Sequence, residues 1–387
     1  MGAALTTRGG QNVHPAEEID KGGQRELGEL VLRSGLCSGC GACVDLCPYQ
    51  VTHRDRTVML HACDRTDGRC FSFCPSGPTD LDELRSRLCA PADLTCELGA
   101  VKGFYIARAT DPGVREGSQH GGAVTALMTL ALREGLIDAA VLTDKGDGLL
   151  PEVVTVEDPE AVGRVGGSRF VVAPVVAEFN RAVRAGYRRI GVVATPCQAL
   201  ALAKMRCYQP ARGAGLPAEA GDQPPATGGG DRLRLVVGLF CGWALSWREF
   251  RSVLRRHVDL SEITGMDIPP SRYHTLEVYT RTGTVSLSLD EVEPCIRESC
   301  HSCSDMTAEF SDISVGSARL PEGWETGRSW NQLIVRTDRG QELLDLARAR
   351  GVLEFKDVPE ENLPKLKTAS VNKQKNADPP ERPDATG

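Results

Sequence analysis

Cys37, Cys40, Cys43 and Cys47 follow one another at gaps of two, two and three residues, and Pro48 closes the run. A segment with this spacing is not free to become a regular helix or strand, because its sulfurs must turn toward a common centre. Three thiolates two residues apart, then a fourth followed by proline, is the spacing that wraps a loop around a cubane iron–sulfur cluster. The backbone has to fold back tightly between ligands, and Gly39 and Gly41 allow it. Zinc is the rival reading, but zinc sites usually pair two Cys-x-x-Cys knuckles across a longer loop.

A second group follows, Cys63, Cys70 and Cys74 with Pro75, whose Cys-x-x-x-Cys-Pro ending repeats that of the first. In two-cluster ferredoxins the last cysteine of each run ligates the other cluster. On that rule Cys37, Cys40, Cys43 and Cys74 hold one cluster. Cys47, Cys63 and Cys70 hold a second that is one thiolate short. Asp67 stands where the missing cysteine would be, and Cys89 or Cys96 are further candidates; the plainer alternative is that Cys63 and Cys70 only fill space.

The chain has 387 residues, 41% hydrophobic and 25% charged, with a formal net charge of −7. This is an ordinary globular composition with room for two or three domains. The acidic balance gives no support for nucleic-acid binding, which calls for a basic face. Fifteen cysteines fall in ligand-like clusters, which in a reducing compartment read as metal sites rather than disulfides. No apolar run approaches the roughly 20 residues of a membrane span, and the polar start lacks a signal peptide's apolar middle. The expected location is cytoplasmic. The expected divisions are a flexible N-terminus over 1–30, a ferredoxin-like domain over 31–80, a main body over 100–366 and a disordered tail over 367–387. A Pro- and Gly-rich segment over 208–231 reads as a mobile surface insertion.

From Val101 onward short apolar strands alternate with amphipathic helices. Strands are expected at Phe104–Arg108, Ala139–Leu142, Arg189–Ala194 and Val236–Phe240, and helices at Asp80–Leu88, Ala123–Arg133, Asn180–Ala185 and Trp247–His257. The fold class is therefore a two-cluster ferredoxin-like module joined to an α/β body with a mixed sheet. Cys197 and Cys241 end two of the expected strands, and Cys295, Cys300 and Cys303 come later. Such residues could converge at one sheet edge, although a single apolar-flanked cysteine is usually a small buried hydrophobe. Gly121 and Gly122 open a helix, where free amides can face an anion; a plain helix-start turn reads equally well. The turn Gly166 to Phe170 carries the same ambiguity.

Taken in order, several motifs resemble the family formed by the beta subunits of coenzyme F420-reducing hydrogenase and F420H2 dehydrogenase. They are Gly121 to Met128, Gly135 to Asp138, Gly167 to Phe170, Ala194 to Gln198, Gly238 to Cys241, Cys300 to Asp305, Asp312 to Ser317, Pro321 to Trp324 and Val335 to Thr337. The resemblance covers about Cys37 to Leu353. It implies two or three 4Fe-4S clusters, an FAD, and coenzyme F420 as substrate. Clusters carry single electrons, a deazaflavin takes only a hydride, and a flavin handles both. By motif match Cys197, Cys241, Cys300 and Cys303 become ligands of a cluster beside the flavin, with Cys295 an alternate. Gly121, Gly122, Thr125, Ser168, Arg169, Ser314 and Gly316 become FAD contacts. The implied partners are redox subunits such as a hydrogenase, a formate dehydrogenase or a ferredoxin, with no nucleic acid and no membrane span. Thr326 to Asn331 is longer than the family pattern, which puts the substrate mouth in question. The alternatives are a ferredoxin-dependent FAD and 4Fe-4S reductase of another substrate, and a non-catalytic electron-relay subunit.

Overall fold

The computed structural model describes residues 22–146, 150–167, 170–209, 228–269 and 273–377. The N-terminal module contains an antiparallel hairpin, β1 (Gln50–His53) and β2 (Arg56–Met59), and two two-residue strands, β3 (Leu94–Thr95) and β4 (Gly99–Ala100), lead into the body. The body is built on eight strands: β5 (Gly103–Ala109), β6 (Ala139–Asp144), β7 (Glu152–Val156), β8 (Ile190–Ala194), β9 (Leu233–Leu239), β13 (Ile313–Ser317), β14 (Asn331–Val335) and β15 (Leu353–Lys356). A separate antiparallel sheet of β10 (Ile263–Asp267), β11 (Thr275–Thr280) and β12 (Gly283–Ser288) lies between β9 and β13 in sequence.

The large sheet is mixed, in the order β15-β5-β14-β13-β9-β8-β6-β7. Its centre, β6, β8, β9 and β13, is parallel, and its flanks are antiparallel. Two antiparallel steps through β14 turn β5 back into the direction of β13, so the carboxyl ends of five strands share one edge. Open α/β sheets bind ligands at such an edge.

Alternate residues feed opposite helix layers, as a period of two requires. Val193, Leu235 and Val237 pack with Leu127, Leu130, Leu343 and Leu344 from helices Ala123–Arg133 and Asp338–Ala349. Val192, Ala194 and Val236 pack with Val176, Phe179, Leu202 and Met205 from helices Val175–Ala185 and Pro196–Cys207. A fully buried Phe179 contributes about 1.5–3 kcal/mol relative to exposure.

Four expectations are corrected here. Residues 24–32 are helical, because Leu27 and Val31 pack on Cys43 and Cys74. Residues 367–376 complete the helix Asn362–Asn376 rather than beginning a disordered tail. Leu366 packs on Leu98 and Ile334, and Ser370 Oγ donates to Glu97 O at 2.6 Å. At the end of the expected insertion, residues 228–231 are packed: a Cβ on Gly228 would meet the Phe73 ring at 2.5 Å. The rest of that segment lies outside the described residues. Cys197, finally, belongs to a helix rather than to the end of a strand.

Candidate iron–sulfur and flavin site

Gly39 and Gly41 adopt φ +71° and +79°, the left-handed turns that bring Cys37, Cys40 and Cys43 round to one side. Cys40 and Cys43 are buried and Cys37 is partly so. Burial pushes the Cys43 thiol far up, and Cys74, Cys40 and Cys37 oppose its ionisation as like-charged neighbours. Cys74, pushed up to about 11 by burial, is held against this trend by Lys204, and Cys37 is one of its neighbours. A cavity lined by these four thiols, Leu27, Val31 and Thr57 lies between them. The fourth sulfur therefore comes from the second run, as the crossed-ligand rule requires. The expected second set also meets: burial raises the Cys70 thiol, and Cys47 and Cys63 add to the effect.

At the carboxyl edge of the sheet a third set assembles. Cys197 follows β8 at the start of its helix, Cys241 lies two residues past β9, and Cys300 and Cys303 arrive from the segment after β12. Because β8 and β9 are adjacent and parallel, their exits place Cys197 and Cys241 side by side. Burial raises the Cys241 thiol strongly; Lys373 pulls the other way, while Cys300, Cys197 and Cys303 oppose its charge. Lys373 Nζ donates to Cys241 O at 2.9 Å, so the C-terminal helix brings a cation to this set. Ala244 N donates to Cys300 Sγ at 3.2 Å. Four residues past Cys303 the chain is anchored by Arg336, fully buried, whose guanidinium donates to the carbonyls of Leu98, Ala100 and Thr307 at 2.6, 2.9 and 3.0 Å.

Four reluctant, mutually close thiols suit a centre that supplies positive charge, since thiolate ligation releases the protons. No group of three or more His, Cys, Asp or Glu among the described residues closes around a single ion. A cubane bonds each thiolate to a different iron and so needs a wider cage.

The two principal sets adjoin. Among the thiols near Cys40 is Cys197, and the Ser38 hydroxyl interacts with both. The loop is tied down by its own backbone: Val176 N donates to Cys40 O at 2.9 Å, Asn180 Nδ2 to Val44 O at 2.7 Å and Arg297 Nη2 to Cys37 O at 2.6 Å. Arg297 also pairs with the buried Asp55 at 2.5 Å.

Cys295 does not join. It lies in the apolar cluster of Val171, Leu245 and Phe250, and its ionisation responds, after burial, to Glu249 and Arg256. Cys89 and Cys96 also stay apart from the second set. Cys89 faces Glu309 and Arg336, and Cys96 is exposed. Asp67 is exposed as well.

Of the expected FAD contacts, Gly121 and Gly122 form the start of helix Ala123–Arg133, and Thr125 lies half-buried in its first turn. Ala123 N is already taken by Asn331 Oδ1 at 3.1 Å. Ser314 is corrected: it is fully buried, receives Arg336 Nε at 2.6 Å and bonds Ser311, all within the core. Gly316 makes room for the Phe240 ring, 2.2 Å from where its Cβ would stand. Ser168 and Arg169 lie outside the described residues.

Sequence reasoning missed a polar corner beside Gly121. His120, from the same turn, stands 3.8 Å from the buried Asp267 and edge-on to Trp324, ring centroids 5.8 Å apart. Gln119 Nε2 donates to Asp267 Oδ1 at 3.0 Å. Arg328, from the stretch longer than the family pattern, donates to Tyr279 OH at 3.2 Å, and Arg319 and Arg328 lie over Trp324. His120 Nδ1, Trp324 Nε1 and Asp267 Oδ2 are buried without a hydrogen bond, which fits a corner built for a polar ligand. His120's place inside the Ser118-to-Thr125 motif was the available signal.

Family models match three stretches of the chain. One described as coenzyme F420 hydrogenase/dehydrogenase, beta subunit N-term, matches residues 104–179, and its C terminus counterpart matches 187–361. A 4Fe-4S binding domain matches residues 31–51. Coenzyme F420 hydrogenase subunit beta from Methanothermobacter thermautotrophicus is 30% identical over 68% of this chain and 87% of its own length. A subunit of the F(420)H(2) dehydrogenase from Methanosarcina mazei is 28% identical over 82% of this chain and 84% of its own. A chain of the F420-reducing [NiFe] hydrogenase complex from Methanosarcina barkeri superposes with a TM-score of 0.63 at 27% identity, covering 73% of this chain and 92% of that one. No helix among the described residues is long and apolar enough to cross a membrane. With the ferredoxin loop, the mixed sheet and these matches together, the chain belongs to the family of coenzyme F420 hydrogenase/dehydrogenase beta subunits.

Proposed function

We propose that this chain moves single electrons through its clusters to an FAD and exchanges a hydride with coenzyme F420, as one component of a larger redox complex. The observation that carries the reading is the convergence of Cys197, Cys241, Cys300 and Cys303 at the sheet edge, beside Cys40 of the ferredoxin loop. The relatives' names supply coenzyme F420 and the hydrogenase or dehydrogenase setting.

Bound flavin would supply the conversion between one-electron and hydride chemistry. The chain's own part is to hold and shield. Beside the Gly121–Gly122 turn, His120 Nδ1 and Trp324 Nε1 offer unspent polar positions. Burial lowers the His120 pKa, outweighing Asp267, so its imidazole stays neutral and can donate or accept at Nδ1. Phe240 packs on Gly316 and is followed directly by Cys241 of the third cysteine set.

The test is anaerobic reconstitution with iron, sulfide and FAD, followed by coenzyme F420 reduction from a one-electron dye. Retained flavin and dye-linked turnover are expected. Full cofactor loading without turnover would remove the hydride step, and protein that binds iron and sulfide but no flavin would leave an electron relay.

A further inference from the structure

The second cysteine set differs from the other two in its fourth corner. Cys47 and Cys63 both act on Cys70, and Gln50, at the start of β1, lies beside Cys47 and Cys70. Gln50 is 2% exposed, and its Oε1 lies 3.8 Å from Cys47 Sγ. Its carboxamide also interacts with the Cys70 thiol. Its Nε2 is buried with no hydrogen-bond partner. A buried amide donor left unsatisfied is costly, and thiolates or bridging sulfides would be its acceptors once the three cysteines ionise. Gln24 fixes the approach of Cys63: its Oε1 accepts Cys63 N at 2.7 Å and its Nε2 donates to His61 O at 2.9 Å. Thus the three-thiol corner has a buried neutral amide beside it rather than a fourth thiol.

We propose that Cys47, Cys63 and Cys70 hold an iron–sulfur centre by three thiolates alone, with Gln50 donating to its sulfur and one iron position lacking a protein thiolate. The centre is therefore a three-iron cluster, or a cubane whose fourth iron exchanges. This rests on the iron–sulfur reading of the chain.

The experiment is graded ferricyanide oxidation of anaerobically prepared full-length protein, followed by electron paramagnetic resonance and iron analysis. In a site-differentiated cubane, [4Fe–4S]2+ yields [3Fe–4S]+, one Fe2+ and one electron, which ferricyanide accepts. A three-iron signal is expected, with one iron per chain released or already missing. Gln50→Cys should abolish the signal and retain that iron, while Cys70→Ser should remove the centre and leave the other clusters' signals unchanged. Iron and sulfide for three complete cubanes, with no three-iron signal on oxidation, would overturn the proposal. So would two complete clusters and a Cys70→Ser variant identical to the parent, a result that leaves the proposed function standing. Protein with neither iron nor sulfide would sink both. If Gln50→Cys fails to fold, the parent's oxidation behaviour alone decides.

Discussion

The ferredoxin loop and the sheet edge each gather four sulfurs, but by opposite means. In the loop, three of the cysteines lie within one short segment, and two positive-φ glycines set their geometry. At the edge, the cysteines come from the exits of β8 and β9 and from the segment beyond β12, so no single stretch of chain contains the set. The first arrangement depends on local turns, the second on correct strand order. The second should therefore be the more fragile, and substitutions far from any sulfur should dissolve it while sparing the first.

Arg336 offers the sharpest break. Its guanidinium serves three carbonyls and also donates to Ser314 Oγ and Thr307 Oγ1 at 2.6 and 2.8 Å. Arg336→Met strands all of these inside the protein, a loss of about 3–5 kcal/mol by analogy with breaking buried ionic networks. The expected outcome is a lower urea midpoint and loss of the iron bound by the sheet-edge set, with the loop's cluster retained. Equal loss from both would erase the proposed contrast.

Arg297 tests the joint between the regions. Arg297→Leu leaves Asp55 buried without its cation and frees Cys37 O, at a cost of about 3 kcal/mol. Both clusters should still assemble, because no ligand is removed. Dye-linked turnover should fall as the Cys40–Cys197 approach loosens. Unchanged turnover alongside a lowered urea midpoint would show that the joint is only structural.

How much of this was legible follows from the same contrast. Cys37, Cys40 and Cys43 could be grouped from spacing because that constraint is local, and Cys74 joined them through the repeated Cys-x-x-x-Cys-Pro ending and the crossed-ligand rule. The α/β alternation was also readable, since Leu127, Val193 and Val237 report their faces through periodicity. Cys197, Cys241, Cys300 and Cys303 could be grouped only by family resemblance, because sheet order is not written in any one segment. Ser314 shared a motif with Gly316 yet serves the core, since it lies two residues deeper along β13, where Arg336 claims its hydroxyl. Cys295, near Cys300 in sequence, was drawn into Leu245 and Phe250 by packing. Residues 367–376 read as a tail because the helix they complete is held through Leu363 and Leu366, which pack on Leu98 and Ile334 only once the body has folded.

That helix gives a finer test. Lys373 Nζ bonds Cys241 O and lowers the ionisation cost of all four edge thiols. A cation held beside a cluster favours its more negative, reduced state. Lys373→Met should lower the reduction potential of the edge cluster by tens of millivolts and leave the loop cluster, served by Lys204, unmoved. Redox titration followed by electron paramagnetic resonance reads both centres at once, and a common shift would point to a general structural change.

The smallest effect lies at the flavin corner, where acidity should act through His120. Burial holds its pKa below the ordinary 6.5, although Asp267 stands only 3.8 Å away. As pH falls, the unfolded chain takes up this proton before the folded one does. The stability contribution is therefore complete above about pH 6.5 and drains away as pH falls toward the depressed folded value. His120→Gln removes this proton linkage, so the variant's urea midpoint should fall less than the parent's between pH 7 and pH 5. Parallel midpoint curves for the two proteins would mean that His120 has the same pKa folded and unfolded, with Asp267 offsetting burial. A parent midpoint that falls less than the variant's would mean a raised folded pKa, and the corner would then present an imidazolium to any bound flavin instead of a neutral ring.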